Sequence, residues 1–112
     1  MTSKRESLTA RRSSETVSLT FNLHRHDFGI ARFEDGRPAE VFAYAFYGKG
    51  AAEEVYARDA SIILSLALQH GTPIETIQKA LTRDDRGLPC SLIGAIVEAV
   101  VKLSETSSPG LP

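Results

Sequence analysis

The sequence predicts an α+β fold in which a three-stranded antiparallel sheet is packed by one long and two shorter helices. Three observations predict it. Apolar and polar residues alternate over residues 17–23, which is typical of a half-buried strand. An Asp-Gly pair at residues 35–36 is typical of a hairpin turn. From residue 51 onward, apolar residues recur at spacings of three, four and seven, as they do in amphipathic helices.

The three strands are expected between Glu15 and Tyr47 as a meander. The first contains residues 17–23, and the second runs from Phe28 to Phe33. Between them, residues 24–27 include two histidines, which this pattern places in a solvated polar turn.

Asp35 and Gly36 are predicted as the two loop residues of a type I′ turn, and such a turn fixes the register of the strands on either side. The third strand then carries small residues on one face and aromatic residues on the other, so the sheet is expected to be apolar on both faces. The expected pairs are Glu34 with Arg37, Ile30 with Val41, Phe28 with Ala43 and Asp27 with Tyr44, and the aromatic residues are Phe42, Tyr44 and Phe46.

The long helix is predicted from Ala51 to His70, with Gly71 as its terminator. Its second half, residues 60–68, is so rich in apolar residues that it should be buried nearly all round. The residues expected to face the core are Val55, Ile62, Ile63, Leu66 and Ala67.

Two shorter helices follow. Thr72, Pro73 and Glu75 form a capping-box sequence, so the second helix should start at Pro73. Residues 83–89 are predicted as a loop, after which Ser91 caps the third helix. The apolar faces should contain Ile74, Ile77, Ala80 and Leu81 in the second helix, and Ile93, Ile96, Val97, Val100 and Leu103 in the third.

A chain of 112 residues is expected to form one domain, spanning residues 15–104. Residues 1–14 are predicted to be a disordered basic tail and residues 105–112 a flexible C-terminal tail. Thirteen basic and fourteen acidic side chains give a net charge of −1, which argues against a surface committed as a whole to a polyanion or an anionic membrane. A single cysteine and the lack of a long apolar run predict a cytoplasmic protein.

The sequence predicts no catalytic residues, no metal site and no cofactor. Cys90 precedes a helix, where a thiolate is favoured, but a structural role is the simpler interpretation. His24 and His26 lie on one side of an extended segment, yet no further ligand at suitable spacing completes a metal set.

Two segments are candidates for binding a ligand or a partner. Lys49 and Gly50 precede the long helix, where backbone N–H groups, the helix dipole and a lysine favour an anion. The second segment alternates in charge, and it is either a loop held by its own ion pairs or a loop that contacts an anion or docks on a protein surface, of which the protein surface suits its mixed charges better. It consists of Arg83, Asp84, Asp85 and Arg86.

Several stretches resemble the TSCPD-type domain that closes adenosylcobalamin-dependent ribonucleotide reductases, and small free-standing bacterial proteins of the same domain. These stretches are residues 32–42 (RFEDGRPAEVF), 48–52 (GKGAA), 62–75 (IILSLALQHGTPIE) and 81–87 (LTRDDRG), and the likeness extends over residues 15–103. Where the domain has its Cys-Pro motif, this chain has Leu88-Pro89-Cys90-Ser91.

The resemblance implies a module that accompanies ribonucleotide reduction, in nucleotide metabolism and DNA replication. Catalysis in that enzyme family needs a radical cysteine and a redox cysteine pair, which one cysteine cannot supply. The predicted function is therefore an accessory or regulatory binding module whose partner is a reductase or another protein. A homodimer is also expected, because three strands leave an open sheet edge and because Phe42, Tyr44 and Phe46 give the second face more apolar area than one small domain can cover. The alternative is a nucleic-acid-associated protein that uses the basic tail and local arginines.

Overall fold

The computed structural model describes residues 4–6, 14–44 and 52–106, and it confirms the α+β fold. The predictions for Lys49, Gly50, Phe46 and most of both tails concern residues outside these ranges. The sheet has the antiparallel order β1-β2-β3, and three helices follow it. The elements are β1 (Ser14–Phe21), β2 (His24–Arg32), β3 (Pro38–Ala43), α1 (Ala52–Gln69), α2 (Ile74–Ala80) and α3 (Leu92–Thr106).

The first hairpin differs from the prediction. β2 begins at His24, and the turn before it consists of only Asn22 and Leu23, with φ values of 51° and 69°. His26 is part of β2, opposite Leu19, and it is 6% exposed. The predicted solvated turn at residues 24–27 was therefore wrong. These polar residues belong to β2, and a tight two-residue turn joins them directly to β1.

The second hairpin has the predicted register but a different turn. The N–H of Phe33 donates to the carbonyl of Arg37 (2.8 Å), and Gly36, with φ 94°, donates to the carbonyl of Phe33 (2.9 Å). The loop therefore has three residues, 34–36, and the predicted facing of Glu34 and Arg37 was wrong. Ala39 is an extra residue in β3, since Ala31 pairs with Glu40 while Arg32 pairs with Pro38. The longer turn and this bulge offset each other, so Ile30 faces Val41 and Phe28 faces Ala43 as predicted.

The two faces of the sheet have different environments. The inner face packs against the helices and includes Phe28 and Ile30, which are fully buried. On the outer face, Phe42 and Tyr44 lie over Gly29, where an added Cβ would approach the Tyr44 hydroxyl at 2.6 Å. The expectation of an apolar outer face is wrong for β1 and β2, where the outward residues are polar and exposed or half-buried. They include Thr16, Ser18, Thr20, Arg25 and Asp27.

Helix α1 buries a different side from the one predicted. Four of the residues expected in the core are exposed: Val55 (52%), Ile62 (53%), Ile63 (67%) and Leu66 (39%). The buried residues are Ala57, Ser61, Leu64, Ser65, Leu68 and Gln69.

This side of α1 is buried because its polar side chains form hydrogen bonds with the edge of the sheet. The N–H of Val41 donates to Ser65 Oγ (2.9 Å), and Gln69 Nε2 donates to the carbonyl of Ala39 (2.9 Å). These bonds satisfy backbone groups that β3 does not pair with β2. Helix α1 therefore covers the β3 edge of the sheet.

The helix boundaries follow local signals. Gly71 has φ 101°, and Thr72 N–H donates to the Ala67 carbonyl (3.0 Å), which is the Schellman ending expected of this glycine. Gly94 N–H donates to Ser91 Oγ (3.0 Å), so Ser91 caps α3 as predicted. The Thr72 capping box is absent: Pro73 occupies the N-cap position without a side-chain cap bond, and α2 begins one residue later, at Ile74.

Candidate functional site

The charged loop predicted as a site connects α2 to α3 and forms a small closed hairpin. Arg83 forms a backbone bridge with Pro89, and the N–H of Cys90 donates to the Thr82 carbonyl (3.0 Å). The N–H of Asp84 also donates to the carbonyl of Leu88 (2.9 Å). The loop backbone is therefore held on both sides, so it presents its tip in a defined position.

The side chain of Arg83 fastens this loop to α3. Its Nη2 lies 2.7 Å from Glu98 Oε1, and its Nη1 donates to the carbonyl of Gly87 (2.7 Å). Gln78 Nε2 also donates to Glu98 Oε1 (3.1 Å). The hydrogen bond from Arg83, followed by that from Gln78, lowers the pKa of Glu98 below its ordinary value. Arg83 thus has a structural role whether or not it also contacts a partner.

The other three loop residues divide by role. Asp84 Oδ1 accepts hydrogen bonds from the N–H groups of Arg86 and Leu88, both at 2.9 Å, and so shapes the turn. Asp85 and Arg86 are exposed, and no hydrogen bond or ion pair engages their side chains within residues 4–6, 14–44 and 52–106. These two side chains are the part of the loop that is free to meet a partner.

A second candidate site lies at the other end of α3. It is a groove of about 390 Å³ between the β2–β3 hairpin, the α1–α2 turn and the last turns of α3, and we call it the hairpin groove. The residues that line it include Arg32, Arg37, Pro38, Pro73, Glu75 and Ser104. Its walls combine apolar residues with charges of both signs.

Arg32 is a fixed wall of the hairpin groove. Its Nε pairs with Glu15 on β1 (3.2 Å), and its Nη1 donates to the Gly36 carbonyl (3.0 Å) and to Ser104 Oγ (3.3 Å). Its side chain is only 20% exposed. Arg32 therefore joins the sheet, the hairpin turn and α3 at one point.

Arg37 stands at the mouth of the groove with its side chain 52% exposed. It stacks over the ring of Phe33, 4.5 Å from the centroid, and its Nε pairs with Asp35 Oδ2 (2.7 Å). The backbone N–H of Arg37, and then its guanidinium, lower the pKa of Asp35. The guanidinium is thus held in one place while half of it stays accessible.

A short N-terminal segment lies beside this groove. The N–H of Glu6 donates to the Gln69 carbonyl (2.7 Å), and Arg5 Nε donates to Gln69 Oε1. Glu6 also pairs with Arg37 (3.2 Å). Residues 4–6 thus connect the end of α1 with the hairpin.

Cys90 is exposed at the start of α3. It lines a cavity of about 420 Å³ with Phe21, Tyr56 and Ile93. Within the described residues, no group of three or more His, Cys, Asp or Glu side chains is arranged to hold a metal ion. In the same part of the chain, no helix is long and apolar enough to span a membrane.

The sequence profile of the TSCPD domain matches residues 2–109, so the chain belongs to the TSCPD domain family. Within that family, the chain is similar to the vitamin B12-dependent ribonucleotide reductase of Agrobacterium fabrum (strain C58 / ATCC 33970). The two are 34% identical over 79 residues, which cover 70% of this chain but only 6% of the reductase. No solved structure matches the chain.

The sequence did not predict the hairpin groove, although it did identify the two segments that form it. Residues 32–42 and 62–75 carry the family resemblance, and the groove takes its arginines from the first and its α1–α2 turn from the second. Their meeting depends on how α1 packs along β3. The sequence therefore identified both motifs, but it did not show that they lie side by side in the fold.

Proposed function

We propose that this chain is an accessory or regulatory binding module that docks on a B12-dependent ribonucleotide reductase and has no catalytic activity of its own. The similarity to a segment of a B12-dependent ribonucleotide reductase supports a module related to that enzyme. A role in bacterial nucleotide metabolism and DNA replication, with a cytoplasmic location, belongs to the same proposal.

The observation that carries the proposal is the construction of the hairpin groove. Two segments that carry the family resemblance, residues 32–42 and 62–75, form one open groove although nineteen residues separate them in sequence, and an exposed guanidinium lies at its mouth. Arg37 is held there by Phe33 and Asp35, so a partner that binds it does not have to order it.

The charges of the groove favour a protein surface over a free anion. Asp35 and Glu6 already neutralise much of the charge of Arg37, and Glu75 adds an exposed carboxylate on the opposite wall. A site with both signs suits a surface that carries complementary charges of both signs.

The charged loop remains a proposed second contact through Asp85 and Arg86, which are exposed. Arg83 and Asp84 would act there by holding the loop in shape. The proposed anion contact at Lys49 and Gly50 depends on the resemblance and the sequence pattern alone.

Nucleic-acid binding has less support. Four arginines among the described residues are each paired with a carboxylate: Arg25 with Asp27, Arg32 with Glu15, Arg37 with Asp35 and Arg83 with Glu98. Basic side chains bind a phosphate backbone by neutralising phosphates and releasing the cations condensed on them, and an arginine that is already paired with a carboxylate is less available for this role. A steep loss of DNA affinity with rising salt would favour this alternative.

The test is direct binding to a B12-dependent reductase, with the A. fabrum enzyme as a defined probe. We expect calorimetry to show binding of the wild-type chain and turnover assays to show an altered reductase rate. The chain alone, with cobalamin, reductant and ribonucleotide, should give no turnover. Arg37→Ala should weaken binding by about tenfold, as expected when a charged interface contact is removed.

Arg25→Ala is the matched control and should leave binding unchanged, because Arg25 is an exposed arginine that is also paired with an aspartate but lies outside both proposed contacts. Arg86→Ala separately tests the charged loop. If Arg86→Ala weakened binding and Arg37→Ala did not, the charged loop would be the contact and the hairpin groove would not. A complete lack of binding and of any effect on the reductase would contradict the proposed function.

We also propose that the chain forms a homodimer. Helix α1 covers the β3 edge of the sheet, so the proposal is supported chiefly by large apolar side chains that stay exposed, namely those of α1 together with Phe42 and Tyr44 on the outer face of the sheet.

A further inference from the structure

Helix α1 is apolar on two sides. Its sheet side packs against β3 and buries Ser65 and Gln69 as hydrogen-bonding groups. Its other side exposes large apolar side chains, and we call this surface the α1 ridge. The ridge consists of Val55, Tyr56, Ile62, Ile63 and Leu66, which are between 39% and 71% exposed.

A groove runs along each flank of the ridge. One, of about 350 Å³, lies against β3 and includes Phe42, Tyr44 and Leu66 in its walls. The other, of about 420 Å³, lies against the start of α3 and includes Tyr56 and Ile93. A ridge of side chains beside a groove is the shape that lets one helix pack against another.

The size of this surface fits an interface between two small proteins. With Phe42 (36% exposed) and Tyr44 (46% exposed) at its margin, the surface comprises seven large apolar residues that are each at least one third exposed. Such a surface amounts to several hundred Å², against about 800 Å² per partner in a standard interface.

The charges on the ridge favour a second copy of the chain. Among the side chains of α1 that the structure describes as exposed, Arg58 and Asp59 are adjacent and carry one charge of each sign. A two-fold interface brings a surface against itself, and it therefore needs a surface that is complementary to itself. A neutral apolar ridge with balanced charges meets this condition, whereas a surface of a single sign repels its own copy.

We infer that the α1 ridge is the interface between two copies of this chain, related by a two-fold axis. This inference rests on the proposed homodimer and specifies its surface. It is independent of the proposed reductase docking, because the reductase is expected to bind in the hairpin groove, whose lining includes none of the ridge residues.

Ile62→Glu tests the inference, with Leu88→Glu as the matched control. The two residues are similarly exposed, at 53% and 51%, and Leu88 lies in the charged loop, off the ridge. Light scattering at tens of micromolar, with reductant present to exclude a Cys90 disulfide, should give twice the 12.2 kDa chain mass for the wild type and Leu88→Glu. Ile62→Glu should give the single-chain mass with an unchanged circular dichroism spectrum.

Three results would overturn the inference. They are a wild-type chain that stays monomeric, an Ile62→Glu variant that stays dimeric, and a Leu88→Glu variant that dissociates as fully as Ile62→Glu. Reductase binding is measured on the same variants, and Ile62→Glu should retain it. If Ile62→Glu instead abolished binding to the reductase while the wild type was monomeric, the ridge would belong to that enzyme.

Discussion

Leu23 has an unusual backbone conformation for a branched apolar residue. Its φ is 69°, and its side chain is 95% exposed, so it gains almost nothing from packing to offset the strain. Replacing it with glycine produces Asn-Gly, the pair most favoured in a two-residue type I′ turn. We expect Leu23→Gly to raise the free energy of unfolding by about 1 kcal/mol, measured by urea denaturation.

Leu23→Ala is the control for this prediction. Alanine removes the exposed side chain but keeps the cost of a positive φ, so its stability should stay close to that of the wild type. Equal stabilisation by alanine and glycine would show that the exposed apolar side chain, not the backbone, is the unfavourable feature.

Glu98 should make stability depend on acid pH. Its pKa is lowered in the folded chain below the ordinary 4.5, first by the hydrogen bond from Arg83. Its stabilising contribution is therefore present above that value and lost as the pH falls through the folded pKa. We expect Glu98→Gln to lower the free energy of unfolding by about 1 kcal/mol at neutral pH.

The same variant should differ little from the wild type in acid, where the wild-type carboxyl is protonated. Urea denaturation of both proteins across this range checks the convergence. A constant difference at every pH would mean that Glu98 acts through packing or neutral hydrogen bonds and not through its charge.

At the scale of elements, the contact between α1 and β3 depends on polar groups. Ser65 Oγ accepts from the N–H of Val41, and both residues are buried. Ser65→Ala leaves this N–H without its partner and should cost about 1–3 kcal/mol in thermal or urea denaturation. Ser18→Ala is a matched control, because Ser18 bonds to Asp27 on the exposed face and water can replace it. Similar losses in both variants would contradict the importance of the buried edge.

The elements could be predicted from sequence where a local rule decided them. Gly71 ends α1 and Ser91 caps α3 because each needs only its neighbours along the chain. The side of α1 that is buried could not be predicted in this way. Periodicity selected Ile62 and Ile63, but β3 needs hydrogen-bonding groups at its edge, and these are supplied by Ser65 and Gln69. The pattern of apolar residues alone does not indicate that the edge of β3 needs polar partners.

For the molecule as a whole, the proposed domain limits can be tested by shortening the chain. A chain of residues 14–106 contains the proposed domain of residues 15–104 and every strand and helix among the described residues, so we expect it to fold with the same circular dichroism spectrum. It loses the contacts of Arg5 and Glu6 with Gln69 and Arg37, which should lower its stability by about 1 kcal/mol. A shortened chain that fails to fold would contradict the proposed limits, and a chain of residues 1–106 would then show whether the N-terminal segment is the part required.

The candidate site could be predicted only in part. The loop of residues 83–86 was recognisable from its dense charge, but the role of Arg83 depends on Glu98, fifteen residues away on α3. The hairpin groove needed the packing of α1 along β3, since Arg37 and Glu75 belong to segments far apart in sequence. Residue type and spacing identify motifs, whereas a shared site follows from tertiary packing.

Because α1 covers the edge of β3, it also controls whether other molecules can add a strand there. Strands from other molecules add to a sheet only where backbone groups are free, and at Val41 and Ala39 these groups are engaged by a helix. Detachment of α1 would expose them while β1 to β3 were still paired, and would create a template for intermolecular strand addition. The rate of strand addition at the β3 edge should therefore follow the local opening of α1, and not the global unfolding of the chain.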